Sequence, residues 1–483
     1  MTDRDLSYPP EARGQWSSGL MFTLAAAGSA IGLGNIWKFP YLASKYGGGA
    51  FVLLYLFFIL LVGIPILAAE IVIGREARRN PVGAFKTLGG GNPFWTSVGL
   101  LGVLSGFVIL SYYSVVAGWT LDYFSKSAWG AYMGADAARI QALFGEMMAN
   151  PWDQVVWHTV FMGATVAIVL SGVKEGLERW IAVLMPLLVL ILLLLVAYSL
   201  LAGDARKGLS YLFVPHWSRL VLDANGNYTA RPMLEALGQA FFSLSLGMGA
   251  MLTYGSYLGN QESIPKSAIQ IAFFDTTIAL LAAVAIFPIL FRYDLDPMVA
   301  GPGLAFKVLP MAFSQLPAGR IIGTAFFALL FFAALTSSIS LLEVVVAHFI
   351  DDRKWARRTA ALAIGFVVWA LGIPSALSYN LLGGFTLFRD RQGQGLPFLD
   401  SVDLLATNYM LPIGGFFIAL FAGWRHRAAA RRQLVDVSGS RRFHGLWCFF
   451  IRFVTPLAVG LLILSMLDRQ FGLLERIFGA SMR

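Results

Sequence analysis

The sequence predicts an all-α polytopic membrane protein: eleven transmembrane helices in a five-plus-five inverted repeat, with broken first and sixth helices. Three observations carry that reading. The 483 residues are 57% hydrophobic and only 13% charged, with a mean hydropathy of +0.69, far from a soluble domain. Charge-free runs occupy 47–69, 154–173, 181–203, 321–342 and 404–424, each about long enough to cross a ~30 Å hydrocarbon core as a helix. A β-barrel would show short alternating segments instead. Two apolar stretches are interrupted alike, by GSAIGLG at 28–34 and FFSLSLGMG at 241–249. Paired Gly-interrupted segments in corresponding positions suggest an inverted repeat.

In chain order the spans are read at 16–42, 48–74, 94–124, 154–171, 176–201, 232–257, 264–291, 318–350, 357–374, 403–424 and 446–467. This divides the chain into an N-terminal segment (1–15), a first repeat (16–201), an outer loop (202–231), a second repeat (232–424), a basic loop (425–445) and a last span with its tail (446–483). Of the 36 Lys and Arg, 20 fall on one side in short segments. By the positive-inside rule that side, and the N-terminus with it, is cytoplasmic. An odd span number then puts the C-terminus outside. The net charge of +9 follows from this asymmetry and does not require nucleic acid. The first 15 residues are polar with no apolar core, so no cleaved signal peptide is expected. The single cysteine, Cys448, excludes an internal disulfide. Gly47–Gly49 and Gly89–Gly91 lack the P-loop lysine and read as turns; Asn227-Tyr228-Thr229, a formal glycosylation sequon, reads as a chance match.

Unwound backbone inside a bilayer needs partners for its amides and carbonyls. A bound ion or ligand can be that partner. Half-helix N-termini offer N–H groups to a carboxylate, and freed carbonyls suit a hard cation such as Na⁺. Asn35 adds a side-chain oxygen. The alternative is a helix-packing face, since Gly28 and Gly32 have small-xxx-small spacing. Asp275 sits in IAFFDTTIALL, and Glu70 and Glu343 are further intramembrane carboxylates. An ionisable group at such depth costs about 2.5–3.5 kcal/mol on insertion scales and marks a functional position by default. The sequence alone supplies no partner for Glu70 or Glu343.

These residues fall into an ordered set: GSAIGLGNIWKFPY, YGGGAF, GIPILAAEIVIGR, SYYSVVAGWT, FFSLSLGMGA and LTSS. The set resembles the neurotransmitter:sodium symporter family, which includes the bacterial leucine transporter, and the resemblance covers nearly the whole chain. It implies a Na⁺-driven symporter with ten core helices and two Na⁺ sites. The first site would use the Ala30 carbonyl, Asn35, Ser243 and Asp275, with the substrate carboxylate. Family members commonly carry Asn at Asp275 and Thr at Ser243. The extra carboxylate replaces the chloride of animal relatives in this reading, so transport is expected to be chloride-independent, and Asp275 is a candidate to take up a proton on the return step. The second site would use the Gly28 and Ile31 carbonyls, the Ala333 carbonyl, and the Thr336 and Ser337 hydroxyls. Gly176 and Pro186 match a pattern for local unwinding of the fifth span, which would let water reach that site.

The same resemblance places the substrate among Ser29, Ala30, Leu33, Gly34, Ile109, Tyr113, Phe242, Ser243, Ser245, Met248, Ser337 and Leu341. Amine-carrying members have Asp where Gly32 stands, so a zwitterionic amino acid is expected. Met248 stands where the leucine transporter has Phe. Flexible Met favours larger side chains, extending the substrates from leucine to tryptophan. Lys38 and Asp403 match the outer charged gate, where Arg is commoner than Lys. Arg13 and Asp351 match the inner gate, supported by Trp16 and Tyr257. Expected partners are the hydrophobic amino acid, membrane lipid and a second copy in a homodimer, with no nucleic acid, in a bacterial inner membrane. An osmolyte or amine cargo and a non-transporting amino-acid sensor are the competing functions. An enzyme is not expected, because the five histidines are scattered without metal-ligand spacing.

Overall fold

The computed structural model of the chain describes residues 14–223, 226–299, 301–389, 393–436, 439 and 441–471. Arg13 lies outside the described residues. Among those described, nine helices are long and apolar enough to cross a membrane: Gly49–Ala77, Pro93–Trp129, Pro151–Leu170, Val173–Ala202, Ile264–Arg292, Gly319–Arg353, Arg357–Ala376, Phe398–Arg425 and Arg441–Asp468. A bent pair, Gly19–Ala30 and Gly34–Lys45, makes a tenth. The predicted sixth span is two helices, Arg231–Ser243 and Ala250–Ser256, which do not meet the same test of length and composition.

The first helix breaks where the sequence is richest in glycine. Ser18 caps its inner half by accepting from the Met21 N–H, and Ile31 leaves helical geometry at ψ 100°. The two halves bend by 57°. The sixth segment breaks over residues 244–249, where Ser245, Gly247 and Gly249 all have positive φ. Gly247 has a second reason to be glycine: a Cβ there would lie 2.2 Å from the Leu411 carbonyl of the tenth span. The freed Gly247 N–H donates to Glu70 Oε1 at 2.7 Å. So the buried glutamate of the second span acts as the missing helix partner for the sixth.

The centre of the bundle is the pair of long third and eighth helices, whose apolar windows are 72% and 78% buried, whereas the eleventh is only 22% buried. The last helix therefore turns most of its apolar surface outwards. The fifth span, Val173–Ala202, runs through both Gly176 and Pro186. Its opening turns, Val173–Glu178 with Gly176, are π-helical, and the α-helix Arg179–Ala202 continues through Pro186. Gly176 serves close packing: a Cβ would fall 2.4 Å from the Ile168 carbonyl. In the seventh span Pro288 has no N–H to give, and the Val284 carbonyl it would have used accepts from Ser199 Oγ at 3.2 Å.

Several connections between the spans carry structure of their own. They hold the helices Ala137–Ala149, Ala205–Phe213 and Leu309–Gln315. A hairpin pairs Thr386–Arg389 with Gly395–Pro397. Several spans run past their predicted ends because polar N-caps sit further out, as with Asn92, whose side chain accepts from Phe94 N–H.

Replacing Glu70 by Ala removes a charge-assisted hydrogen bond of the kind worth roughly 1.5–3 kcal/mol. The variant should lower the thermal unfolding midpoint in detergent, and Glu70→Gln, which keeps an acceptor oxygen, should recover most of the loss. Equal losses in both variants would mean that charge, not the bond to Gly247, is what matters.

Candidate functional site

Both helix breaks open on one small cavity of about 30 Å³. Of the twelve predicted substrate residues, eleven line it: Ser29, Ala30, Leu33, Gly34, Ile109, Tyr113, Phe242, Ser245, Met248, Ser337 and Leu341. Gly32 and Asn35 line it too. Ser243 lies behind the wall, in the polar cluster described next. The glycines allow the walls to close: a Cβ on Gly34 would lie 2.6 Å from the Phe242 ring, and one on Gly32 would lie 2.9 Å from Ser337 Oγ and 3.1 Å from the Tyr113 hydroxyl. Tyr113 accepts from the Leu33 N–H at 3.4 Å. Ser245 Oγ donates to the Ser29 carbonyl at 3.0 Å, and Ser29 Oγ donates to Ser340 Oγ at 2.6 Å. Ile109, Met248 and Leu341 give the cavity its apolar side.

Next to the cavity, Asn35, Ser243 and Asp275 form a fully buried cluster. Asn35 Nδ2 donates to Asp275 Oδ1 at 2.7 Å, and Ser243 Oγ donates to Asp275 Oδ2 at 2.6 Å. Tyr55 completes it: its hydroxyl is 3.2 Å from Asp275 Oδ2 and 3.1 Å from Ser243 Oγ. Sequence reading missed Tyr55. The available signal was a tyrosine alone among the apolar residues of GAFVLLYLFF. Asn35 Oδ1 accepts from the Gly32 N–H at 3.1 Å, so the amide pins the unwound turn as well.

The second predicted ion set also converges. Ser337 Oγ donates to the Ile31 carbonyl at 3.3 Å, and Thr336 Oγ1 donates to the Ala333 carbonyl at 3.1 Å. A Cβ on Gly28 would lie 3.5 Å from Thr336 Cβ and 3.0 Å from Met185 Sδ. The first and eighth helices therefore touch through hydroxyls and carbonyls, with a methionine of the fifth packed over the contact.

Of the pair expected to form an outer gate, the Lys38 ammonium rests over the Phe242 ring, 4.8 Å from its centroid. Asp403 is a half-buried carboxylate near enough to feel the Lys38 charge. On the inner side Asp351 accepts from the Asn80 backbone N–H at 2.8 Å and from its side-chain amide at 3.0 Å. Trp16 donates through its indole to the Tyr254 carbonyl at 3.0 Å and meets the Tyr254 and Tyr257 rings edge-on. The Tyr257 hydroxyl donates to Glu343 at 2.8 Å, and Arg357 engages both oxygens of that carboxylate. Arg357 is thus the partner that sequence reading lacked for Glu343. It lies only 14 residues away, but at the start of the next helix, and its approach depends on how the eighth and ninth helices meet.

A family model described as the sodium:neurotransmitter symporter family matches residues 13–136 and 131–472. The chain belongs to that family. An uncharacterized sodium-dependent transporter of Bacillus subtilis, YhdH, is 39% identical over 455 residues, covering 94% of this chain and 97% of its own. A sodium-dependent transporter of Haemophilus influenzae is 32% identical over 94% of this chain and 98% of its own. Among solved structures, MhsT in complex with L-phenylalanine matches with a TM-score of 0.84 and 45% identity, over 94% of this chain and all of that one. The family and these relatives are transporters rather than enzymes, and the all-helical architecture with interrupted helices is the one they share. Sodium dependence belongs to the relatives by name.

Arg357→Ala would leave Glu343 buried and unpaired, a change that costs about 3–5 kcal/mol when a buried pair loses one partner. The expected readout is a large fall in the thermal midpoint, with the double variant Arg357→Ala/Glu343→Gln recovering much of it. A double variant no more stable than the single one would show that the pair does not act as a unit.

Proposed function

We infer that this chain is a sodium-coupled symporter of hydrophobic L-amino acids, from leucine to tryptophan, working by alternating access and without chloride. One observation carries the reading: the residues expected to hold an amino acid line one cavity against the buried Asn35–Ser243–Asp275 cluster. The outer half of the first helix begins at Gly34, and its free N–H groups favour a carboxylate. The substrate carboxylate would meet those groups, the Tyr113 hydroxyl and the first Na⁺. Its ammonium would meet carbonyls at Ala30, Phe242 and Ser243. MhsT, with phenylalanine in its structure, supports an amino acid of this class.

The Na⁺ ions are cargo that couples the cycle. Asp275, Ser243, Asn35 and the Ala30 carbonyl suit a hard cation; the Asn35 amide, whose NH₂ faces Asp275 here, would flip to offer its oxygen. Gly28, Ile31, Ala333, Thr336 and Ser337 would hold the second ion. That ion would tie a broken helix to an unbroken one, so its binding favours the outward-open state and its loss releases the inner route. Unwinding of the fifth helix at Pro186 belongs to that release step. Asp275 supplies negative charge beside the first ion, which is the basis for chloride independence. Gly32 disfavours an amine cargo, because no carboxylate faces the ammonium there. The two five-helix repeats, the two sodium sites, the cytoplasmic N-terminus and residence in a bacterial inner membrane belong to the same reading.

Proteoliposomes with an inward Na⁺ gradient should accumulate labelled leucine and tryptophan, and an equal K⁺ gradient should not. No Na⁺-dependent uptake of these, or of amines and osmolytes, by folded protein would favour a sensor. Met248→Phe should shift preference from tryptophan towards leucine by roughly tenfold, the scale of small volume changes in an apolar pocket. Uptake should be equal in chloride and gluconate; strong chloride dependence would remove the proposed role of Asp275.

A further inference from the structure

The inner half of the first helix, Gly19–Ala30, is severed from the outer half at Ile31. Its lower end is held in an unusual way. A helix start has four N–H groups without intrahelical partners, and negative charge stabilises it. Such caps normally come from residues next to the helix. Ser18 does supply one here. One more comes from far away in the chain, and the residue before the cap is tied to a distant carboxylate as well. The Gly19 N–H donates to Glu262 Oε1 at 2.9 Å, across 243 residues. The Ser17 N–H donates to Glu178 Oε2 at 3.1 Å, across 161 residues, and the Ser17 hydroxyl donates to the other oxygen of the same carboxylate.

Neither carboxylate lies on the half-helix. Glu178 stands in the opening turns of the fifth span. Glu262 follows the inner half of the sixth segment, and its backbone carbonyl accepts from Arg75, itself buried at 1% exposure. Arg75 is fixed in turn by Gln433, which it meets at both the side-chain and the backbone oxygen. Glu262 is thus braced against the second span and the basic loop. Gly19 fits the approach: a Cβ there would lie 1.9 Å from Glu262 Oε2.

We propose that Glu178 and Glu262 are positioning residues for transport, a two-carboxylate clasp on the start of the inner half-helix whose release lets the cytoplasmic route open. This rests on the alternating-access reading, because a clasp has a transport role only if that half-helix swings. A cap of this kind breaks when the helix moves away from it, so its strength sets how often the inner route is open.

The test reads accessibility rather than uptake. In a Cys448→Ser background, Met185→Cys places the only thiol beneath the half-helix, against Gly28. Labelling of that thiol by a membrane-permeant maleimide, in K⁺ medium, should rise at least fivefold when Glu178→Ala or Glu262→Ala is added, and further with both. Glu262→Gln keeps an acceptor oxygen and should stay within about twofold of the parent. Gly19→Ala leaves both carboxylates in place, yet should raise labelling as Glu262→Ala does. Na⁺ should slow labelling in every variant. Thermal midpoints near the parent's separate gating from loss of fold, and if the double variant fails to fold, the single variants and Gly19→Ala decide. Unchanged labelling in Glu178→Ala, Glu262→Ala and Gly19→Ala would overturn the clasp. Absence of Na⁺-driven uptake by the parent protein would instead overturn the symporter reading.

Discussion

Backbone polarity inside a bilayer is the constraint on which the rest depends. Two helices are interrupted where no water can satisfy the freed groups, so each interruption has to be met by something built for it. In the sixth segment the Gly247 N–H is met by Glu70. In the first, the Gly32 N–H is met by Asn35 and the Leu33 N–H by Tyr113, while Ser337 and Ser245 answer the Ile31 and Ser29 carbonyls. These are side chains of the first, second, third, sixth and eighth segments. The two breaks therefore draw the core of the bundle around themselves, and the cavity is what remains between them.

The buried carboxylates divide into distinct jobs by the company they keep. Glu70 completes backbone. Asp275 is surrounded by an amide and two hydroxyls, with no cation among those partners, an arrangement suited to a mobile positive charge. Glu343 has a permanent cation in Arg357 and so closes structure at the inner side. Each has a different reason to withstand the cost of an intramembrane charge. The same logic separates the ends of the first helix: hydroxyls and carbonyls surround its upper end, whereas carboxylates hold its lower end.

Family membership and similarity to MhsT establish the kind of protein to which this division applies. What the relatives do not specify is how the inner half-helix is kept in place in this chain. That depends on Gly19 admitting Glu262, and on Arg75 and Gln433 holding Glu262 where it is.

Length and polarity alone determined the membrane architecture, because a stretch of some twenty apolar residues has few alternatives to a spanning helix. The two breaks were legible for a similar reason: glycine and asparagine in an apolar run contradict the local pattern, and such contradictions mark function. Once the ordered motifs were recognised, the cavity residues followed, because they are clustered on the interrupted turns and a few helix faces. Tyr55, Arg357, Glu178 and Glu262 were not assigned roles in that way. Each is an ordinary residue for its helix end or face, and its meaning comes from a partner 14 to 243 residues distant. Hydrophobic periodicity fixes which segments lie in the membrane. Which polar groups meet inside it is decided by helix packing, which brings together side chains that share no local pattern.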